Sequence, residues 1–221
     1  MSELVKTATS KILQVAVSLP KTFLVSGREV STGIFKEKID GKVPLKTLNL
    51  DGDEQADLTV HGGVDKAVYT YPSEHYPYWR AEYPNKEIDY GIFGENLTTE
   101  DLLETDVCIG DEFQVGTAVI RVSQPRIPCY KLGIRFGRPD IIKRFMKSGR
   151  SGIYFSVVKE GVLEAGDQIV RIKNDPDNIT VSEVANLFNQ RTLDPVRIEK
   201  ILQSGLADQM KMFVSSLVYR G

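Results

Sequence analysis

Residues 110–123, Gly110-Asp111-Glu112-Phe113-Gln114-Val115-Gly116-Thr117-Ala118-Val119-Ile120-Arg121-Val122-Ser123, carry the pattern that decides the fold. From Thr117 to Ser123 the apolar Ala118, Ile120 and Val122 fall on one face, while Arg121 and Ser123 fall on the other. That is the period of two expected of a half-buried strand. The preceding Gly110-Asp111-Glu112-Phe113 makes this run the second arm of a hairpin.

Working outward, shorter runs repeat the pattern. Lys11 to Leu19 alternates loosely, and Val43, Leu45, Leu48 and Leu50 pass through an extended stretch before the turn Asp51-Gly52-Asp53. Lys66 to Tyr71 continues it. Ile153 to Val158 leads through Glu164-Ala165-Gly166-Asp167 into Gln168 to Ile172. Many short strands joined by turns of this chemistry favour a closed or partly closed β-barrel, which leaves no exposed edge. Two peripheral helices interrupt it, one capped by Ser73 and running through Tyr78, Trp79 and Glu82, the other from Asp140 to Lys147 between Pro139 and Gly149.

After Ile172 the composition changes. Asn174-Asp175-Pro176-Asp177-Asn178 reads as a linker, Thr180 and Glu183 have capping-box spacing, and Asp194-Pro195 opens a second helix that stops near Gly205. Met210, Phe213 and Leu217 share a stripe on a third helix. The expectation is a mainly β domain, a β-barrel over residues 1–172 with peripheral helices, followed by a small all-α three-helix domain over 173–221.

The chain has 221 residues, 28 basic against 30 acidic, and a net charge of −2, so nothing pulls it as a whole toward nucleic acid or anionic lipid. An anion site must be local. No apolar run approaches the roughly twenty residues of a membrane span, and the N-terminal run Ile12 to Val17 is too short and polar for a signal peptide core. Two cysteines, Cys108 and Cys129, outside any Cys-x-x-Cys pair, suggest neither a zinc site nor a disulfide framework, and fit a reducing, cytoplasmic setting. They cannot hold an iron–sulfur cluster.

The most unusual segment is Gln124-Pro125-Arg126-Ile127-Pro128-Cys129-Tyr130-Lys131, where two prolines stiffen the chain at the end of a strand. It reads as a rigid presenting loop. Arg126 and Lys131 flank a thiol whose unperturbed pKa is about 8.5, and nearby cations favour the thiolate, a nucleophile and a soft metal ligand. The plainer reading of a lone cysteine is buried packing, which suits Cys108 between Val107 and Ile109. In Val60-His61-Gly62-Gly63, paired glycines let backbone approach a ligand, and His61 could donate to an anion or shuttle a proton; the plainer reading is a hydrogen-bonded corner. His75 reads as surface or packing. Lys21, Arg28 and Lys36 would converge on one mouth to hold a phosphate-type or pterin-type anion, although each alone could be a solvated strand face. Asp51-Gly52-Asp53 and Gly94-Glu95-Asn96-Leu97 are turns whose functional reading is to shape the pocket and hold its cations in place.

In order, the motifs around Lys36, Asp53, His61-Gly62-Gly63, Gly94-Glu95-Asn96-Leu97 and Arg126-Ile127-Pro128-Cys129-Tyr130-Lys131 resemble the MOSC family, in its YiiM-like branch, over about residues 10 to 170. The helical tail resembles the three-helix unit located after the barrel in that branch. The resemblance implies a cleft that binds the molybdenum cofactor (molybdopterin), with Cys129 as ligand to molybdenum. It makes Lys21, Arg28, Lys36, His61, Gly62, Arg126 and Lys131 candidates for the cofactor's pterin and phosphate, with His61 a candidate in catalysis as well. The activity implied is reduction of N-hydroxylated small molecules such as 6-hydroxylaminopurine, with electrons from a separate reductase. Pyridoxal phosphate is left open as a ligand, and the tail could support a homodimer. Competing uses of the same cysteine are a sulfur carrier through a Cys129 persulfide and a nucleophile with His61 as base. A structural or interaction role is the remaining alternative.

Overall fold

The computed structural model describes residues 10–25, 27–56, 62–189 and 194–218. Its strands are β1 (Ser10–Val17), β2 (Lys21–Val25), β3 (Arg28–Thr32), β4 (Glu37–Ile39), β5 (Val43–Leu45), β6 (Val68–Pro72), β7 (Leu97–Glu100), β8 (Glu112–Val115), β9 (Ala118–Pro125), β10 (Ile153–Lys159), β11 (Gly161–Leu163) and β12 (Gln168–Lys173). Its helices are α1 (Tyr76–Glu82), α2 (Tyr130–Phe136), α3 (Ile141–Ser148), α4 (Val181–Asn186), α5 (Pro195–Gln203) and α6 (Asp208–Val218).

Seven strands close a barrel in the order β1, β12, β8, β9, β10, β6, β7 and back to β1. The closing pair is β1 with β12, through Ser10 opposite Ile169 and Lys11 opposite Gln168. Strands β6 and β7 are parallel, and the other pairs of the ring are antiparallel. Strand β4 adds to the far end of β1, while β2–β3 and β5–β11 form separate ribbons.

The hairpin β8–β9 is as the alternation dictates. Ala118, Ile120 and Val122 are fully buried and Arg121 is exposed. Ser123, expected on the outer face with Arg121, is instead buried. A β-bulge explains it: Tyr154 pairs with Gln124 but Phe155 pairs with Val122, so Ser123 has no opposite residue. Its Oγ lies 2.6 Å from Asp65 O and 2.9 Å from Tyr154 O, which accounts for its polarity inside the wall. A bulge bends its strand and re-aims the residues beyond it. In β9 those residues are the segment 124–131.

The peripheral helices lie outside the barrel. Tyr76 and Trp79 of α1, Leu132 and Phe136 of α2, and Ile141 and Phe145 of α3 join Tyr69, Tyr71 and Phe93 in an aromatic cluster separate from the barrel core. Ser73 does not cap α1 but lies in a 3-10 turn, Ser73–His75, that leads into it. Thr180 caps α4 by accepting from the Glu183 N–H at 3.1 Å, and Asp194 caps α5 by accepting from the Val196 N–H at 3.0 Å. On α6, Met210 and Val214 are buried and Leu217 packs beside them, whereas Phe213, expected on that stripe, is 39% exposed. Residue 173 ends β12, and the apolar residues of α4–α6 belong to the same cluster as the barrel interior. No helix among the described residues is long and apolar enough to cross a membrane.

Candidate functional site

The strand ends and loops at one end of the barrel surround a cleft of about 590 Å³, part of it open to solvent. Its wall begins with Asp53, 1% exposed. One carboxylate oxygen accepts the Ser18 N–H at 2.8 Å and pairs with the Lys36 ammonium; the other accepts from Asn96 Nδ2 at 2.9 Å. Asn96 Oδ1 in turn accepts the Tyr69 N–H at 3.1 Å. The two turns read as pocket-shaping are thus joined by one hydrogen-bonded chain. Burial pushes the Lys36 pKa down and the charge of Arg126 acts the same way, while Asp53 opposes both.

Beneath Asn96 the turn is braced by Glu95, which is fully buried and accepts from the Gly91 N–H at 2.7 Å, the Phe93 N–H at 3.1 Å, Thr98 Oγ1 at 3.2 Å and the Tyr76 hydroxyl. Burial raises its pKa despite these donors. The turn therefore has little freedom to drift.

Arg126 leaves the end of β9 and is 8% exposed. Its Nη1 donates to Phe93 O, and its guanidinium lies 4.7 Å from the Tyr69 ring centroid and 5.8 Å from that of Phe145. Burial works against its charge, but the neighbouring Tyr69, Tyr154 and Cys129 outweigh this and its pKa stands above the ordinary arginine value. Tyr69 and Tyr154, with ring centroids 4.9 Å apart, both have their pKa shifted upward, by burial first. Lys131, 9% exposed on the first turn of α2, faces the same cleft.

Cys129 is half-buried at this wall, coupled electrostatically to Arg126. The segment around it is not loop throughout, because Cys129 is the N-cap of α2, extended at φ −113° and ψ 174°. Leu132 and Phe136, one turn apart, anchor the helix in the aromatic cluster. The sulfur is thus fixed between a strand and a helix.

Of the residues singled out from sequence, Lys36, Arg126, Cys129 and Lys131 line the cleft together. Lys21 and Arg28 do not converge there: Lys21 is exposed and pairs with Glu37, and Arg28 is exposed opposite Val25 at the end of the β2–β3 ribbon. The ribbon reaches the cleft instead through Thr32, opposite Lys21 and 1% exposed. Gly62 is buried but is not among the lining residues, and His61 lies outside the described residues. Cys108 is half-buried between the fully buried Val107 and Ile109, with its thiol pKa raised by burial and by Asp111. His75 is packing, 2.8 Å from Glu104. The sequence reading missed Lys66, Tyr69 and Tyr154 as cleft residues, whereas Asn96 lies in a turn expected to shape the pocket and does line the cleft. The signal of the three missed residues was their place at strand starts beside predicted turns.

A family model described as MOSC domain matches residues 57–170, which holds β6 to β10, Arg126, Cys129 and Lys131. The chain belongs to the MOSC domain family. This MOSC protein is 40% identical to YflK of Bacillus subtilis over 192 residues, covering 86% of each chain. It is 36% identical over 185 residues to a protein of Gibberella moniliformis named reductase, covering 82% of this chain and 33% of that one. The crystal structure of YiiM from Geobacillus stearothermophilus superposes with a TM-score of 0.79 at 31% identity, covering 94% of this MOSC protein and 98% of YiiM.

Proposed function

We propose that the cleft binds a molybdenum cofactor, with Cys129 as the protein ligand to the metal, and that the protein reduces N-hydroxylated compounds. The observation that carries this reading is one sulfur, fixed at an element junction, in a cleft lined by four cationic side chains, Lys36, Lys66, Arg126 and Lys131, against two carboxylates, Asp53 and Glu54. Such a set suits a polyanion with a soft metal at one end. Among the described residues no group of three histidine, cysteine or acidic side chains could hold a metal ion. A metal at Cys129 would therefore bring most of its other ligands within its own organic cofactor. The MOSC family and a relative named reductase support the same direction.

The residues divide the work. Arg126 beside the sulfur favours its anionic form, and Arg126 and Lys131 present fixed charge to a pterin phosphate. Lys36, already neutralised by Asp53, stiffens the wall rather than adding net charge. The cofactor, when bound, supplies the two electrons that with two protons convert R–NH–OH into R–NH2 and water as the N–O bond breaks. Those electrons enter from a separate reductase.

Metal analysis of protein made in a cofactor-competent host tests this. Near-stoichiometric molybdenum is expected, lost in Cys129→Ser. A chain without molybdenum, beside a control molybdoenzyme that loads normally, overturns the reading; labile sulfur on Cys129 in that chain would support the persulfide carrier instead.

A further inference from the structure

Two spaces open on Cys129. One is the cleft; the other is a cavity walled by Ile127, Pro128, Met210 and Phe213, and Cys129 and Tyr154 line both. A further side of the sulfur is solid protein: helix α2, which Cys129 caps, with α3 packed against it. Helix α3 also meets the site directly, since the ring centroid of Phe145 lies 5.8 Å from the Arg126 guanidinium. A helix is about 10–12 Å across, so the outer face of α3 is one helix thickness from the residue beside the sulfur.

That outer face is strongly charged. Residues 135–150 hold six basic side chains, Arg135, Arg138, Lys143, Arg144, Lys147 and Arg150, against one acidic, Asp140, in a chain whose net charge is −2. The rest of the chain is therefore net acidic. Ile141 and Phe145 of α3 are buried, while Arg138, Lys143, Arg144 and Lys147 are exposed. Arg138 pairs with Asp140, and Arg144 with Asp140 and Glu82. Lys143 and Lys147, one turn apart, form no ion pair among the described residues.

The make-up of the face narrows its partner. No exposed large apolar side chain lies in 135–150 to enter a lipid surface. The rings nearest the charges, Tyr83 and Phe136, are each 3% exposed and lie beneath Arg138, Arg144 and Lys86, so no base can stack on them. Asp140 and Glu82, set among the cations, repel a phosphate backbone but suit the mixed charges of a protein surface. An acidic patch on a second protein fits this face best. The reduction proposed above consumes two electrons, and two lone cysteines give the chain no cluster to supply them. Encounters that pass electrons between proteins bury little surface and rely on opposite charge to orient the pair.

We propose that the exposed face of α3, with Arg138, is the docking surface of the electron donor, a reduced carrier protein with an acidic surface. For each N–O bond broken the donor is oxidised by two electrons, and water supplies the two protons. The proposal rests on the reading of the cleft as a reductase site and adds the place where the electrons enter.

Reduced flavodoxin, a small acidic flavoprotein, is the probe, and reduced methyl viologen is a donor too small to need a docking surface. In the molybdenum-loaded chain, Lys143→Glu with Lys147→Glu weakens calorimetric binding of flavodoxin about ten-fold. It lowers flavodoxin-driven reduction of an N-hydroxylated base by a similar factor and removes most of the salt dependence of that rate. Viologen-driven reduction, molybdenum content and melting temperature are unchanged. Lys143→Gln with Lys147→Gln loses less, as a charge effect requires. Flavodoxin that does not bind, binding that ignores both double variants, or an equal loss with both donors overturns the docking surface and leaves the cofactor reading standing. Binding of duplex DNA in place of flavodoxin, abolished by the same variants, gives the face to nucleic acid and overturns it too. A chain that loads no molybdenum overturns the cofactor reading and the electron-delivery role with it.

Discussion

Asp53 is the residue on which the cleft wall depends. It balances the buried Lys36 ammonium and accepts from the Ser18 backbone and the Asn96 side chain. Removing one partner of a buried pair leaves an uncompensated charge, at a cost of about 3–5 kcal/mol. Asp53→Ala is therefore expected to lower the melting temperature by about 10 °C, since each kcal/mol shifts a chain of this size by about 2–4 °C. The double variant Lys36→Met with Asp53→Asn removes both charges and keeps an acceptor, and loses much less. Differential scanning calorimetry of the three proteins decides it. A single variant that melts within a degree or two of the natural protein would show that the pair does not hold the wall. The turn Asp51-Gly52-Asp53 was legible as a turn that holds cations, but its partners were not, because Ser18 and Asn96 lie 35 and 43 residues away in sequence.

Among elements, the strands that alternate were legible and those buried on both sides were not. Strand β9 shows its period of two as far as Val122, then the bulge at Ser123 buries both faces and the pattern ends. Strand β6, buried throughout, has no alternation, and its parallel pairing with β7 leaves no local trace. Helix α2 was hidden because Pro125 and Pro128 dominate the reading of its approach; the one-turn spacing of Leu132 and Phe136 was its signal. The start of β10 offers a direct test of how tightly elements hold the site. Gly152 adopts φ +65°, and a Cβ there would sit 2.5 Å from Thr70 O and 2.7 Å from the Tyr69 ring. Gly137 has φ +68° with nothing within 4 Å of such a Cβ. Gly137→Ala should cost only backbone strain, about 1 kcal/mol, with molybdenum content unchanged. Gly152→Ala adds a clash that pushes Tyr69 off Tyr154 and Arg126, and is expected to cost about 2–3 kcal/mol and to lower molybdenum content. Equal losses for the two variants in urea unfolding would show that Tyr69 moves aside without cost.

At the scale of the whole molecule, the sequence suggests a barrel with a separate helical unit, divided at residue 172/173. The division in composition is plain, but composition does not say where a helix buries its apolar face. Val181 and Val184 of α4, Ile198 and Ile201 of α5, and Met210 and Val214 of α6 lie in one cluster with Val107, Ile109 and Val122. The backbone joins them too: Ile109 N–H donates to Ile179 O at 2.8 Å, Val181 N–H to Val107 O at 2.9 Å, and Ala207 N–H to Ser123 O at 3.2 Å. Each fully buried Val, Leu or Ile side chain contributes roughly 1.5–3 kcal/mol, whereas a whole domain is stable by only about 5–15 kcal/mol. Stripping α4–α6 would expose this face of the barrel and open one side of the cavity beside Cys129. A chain ended after Lys173 is therefore expected to lack a cooperative thermal transition and near-ultraviolet circular dichroism, even if it retains strand content. A 1–173 chain that melts cooperatively would show that the barrel folds alone; the helices would then be present for the cavity they wall rather than for stability.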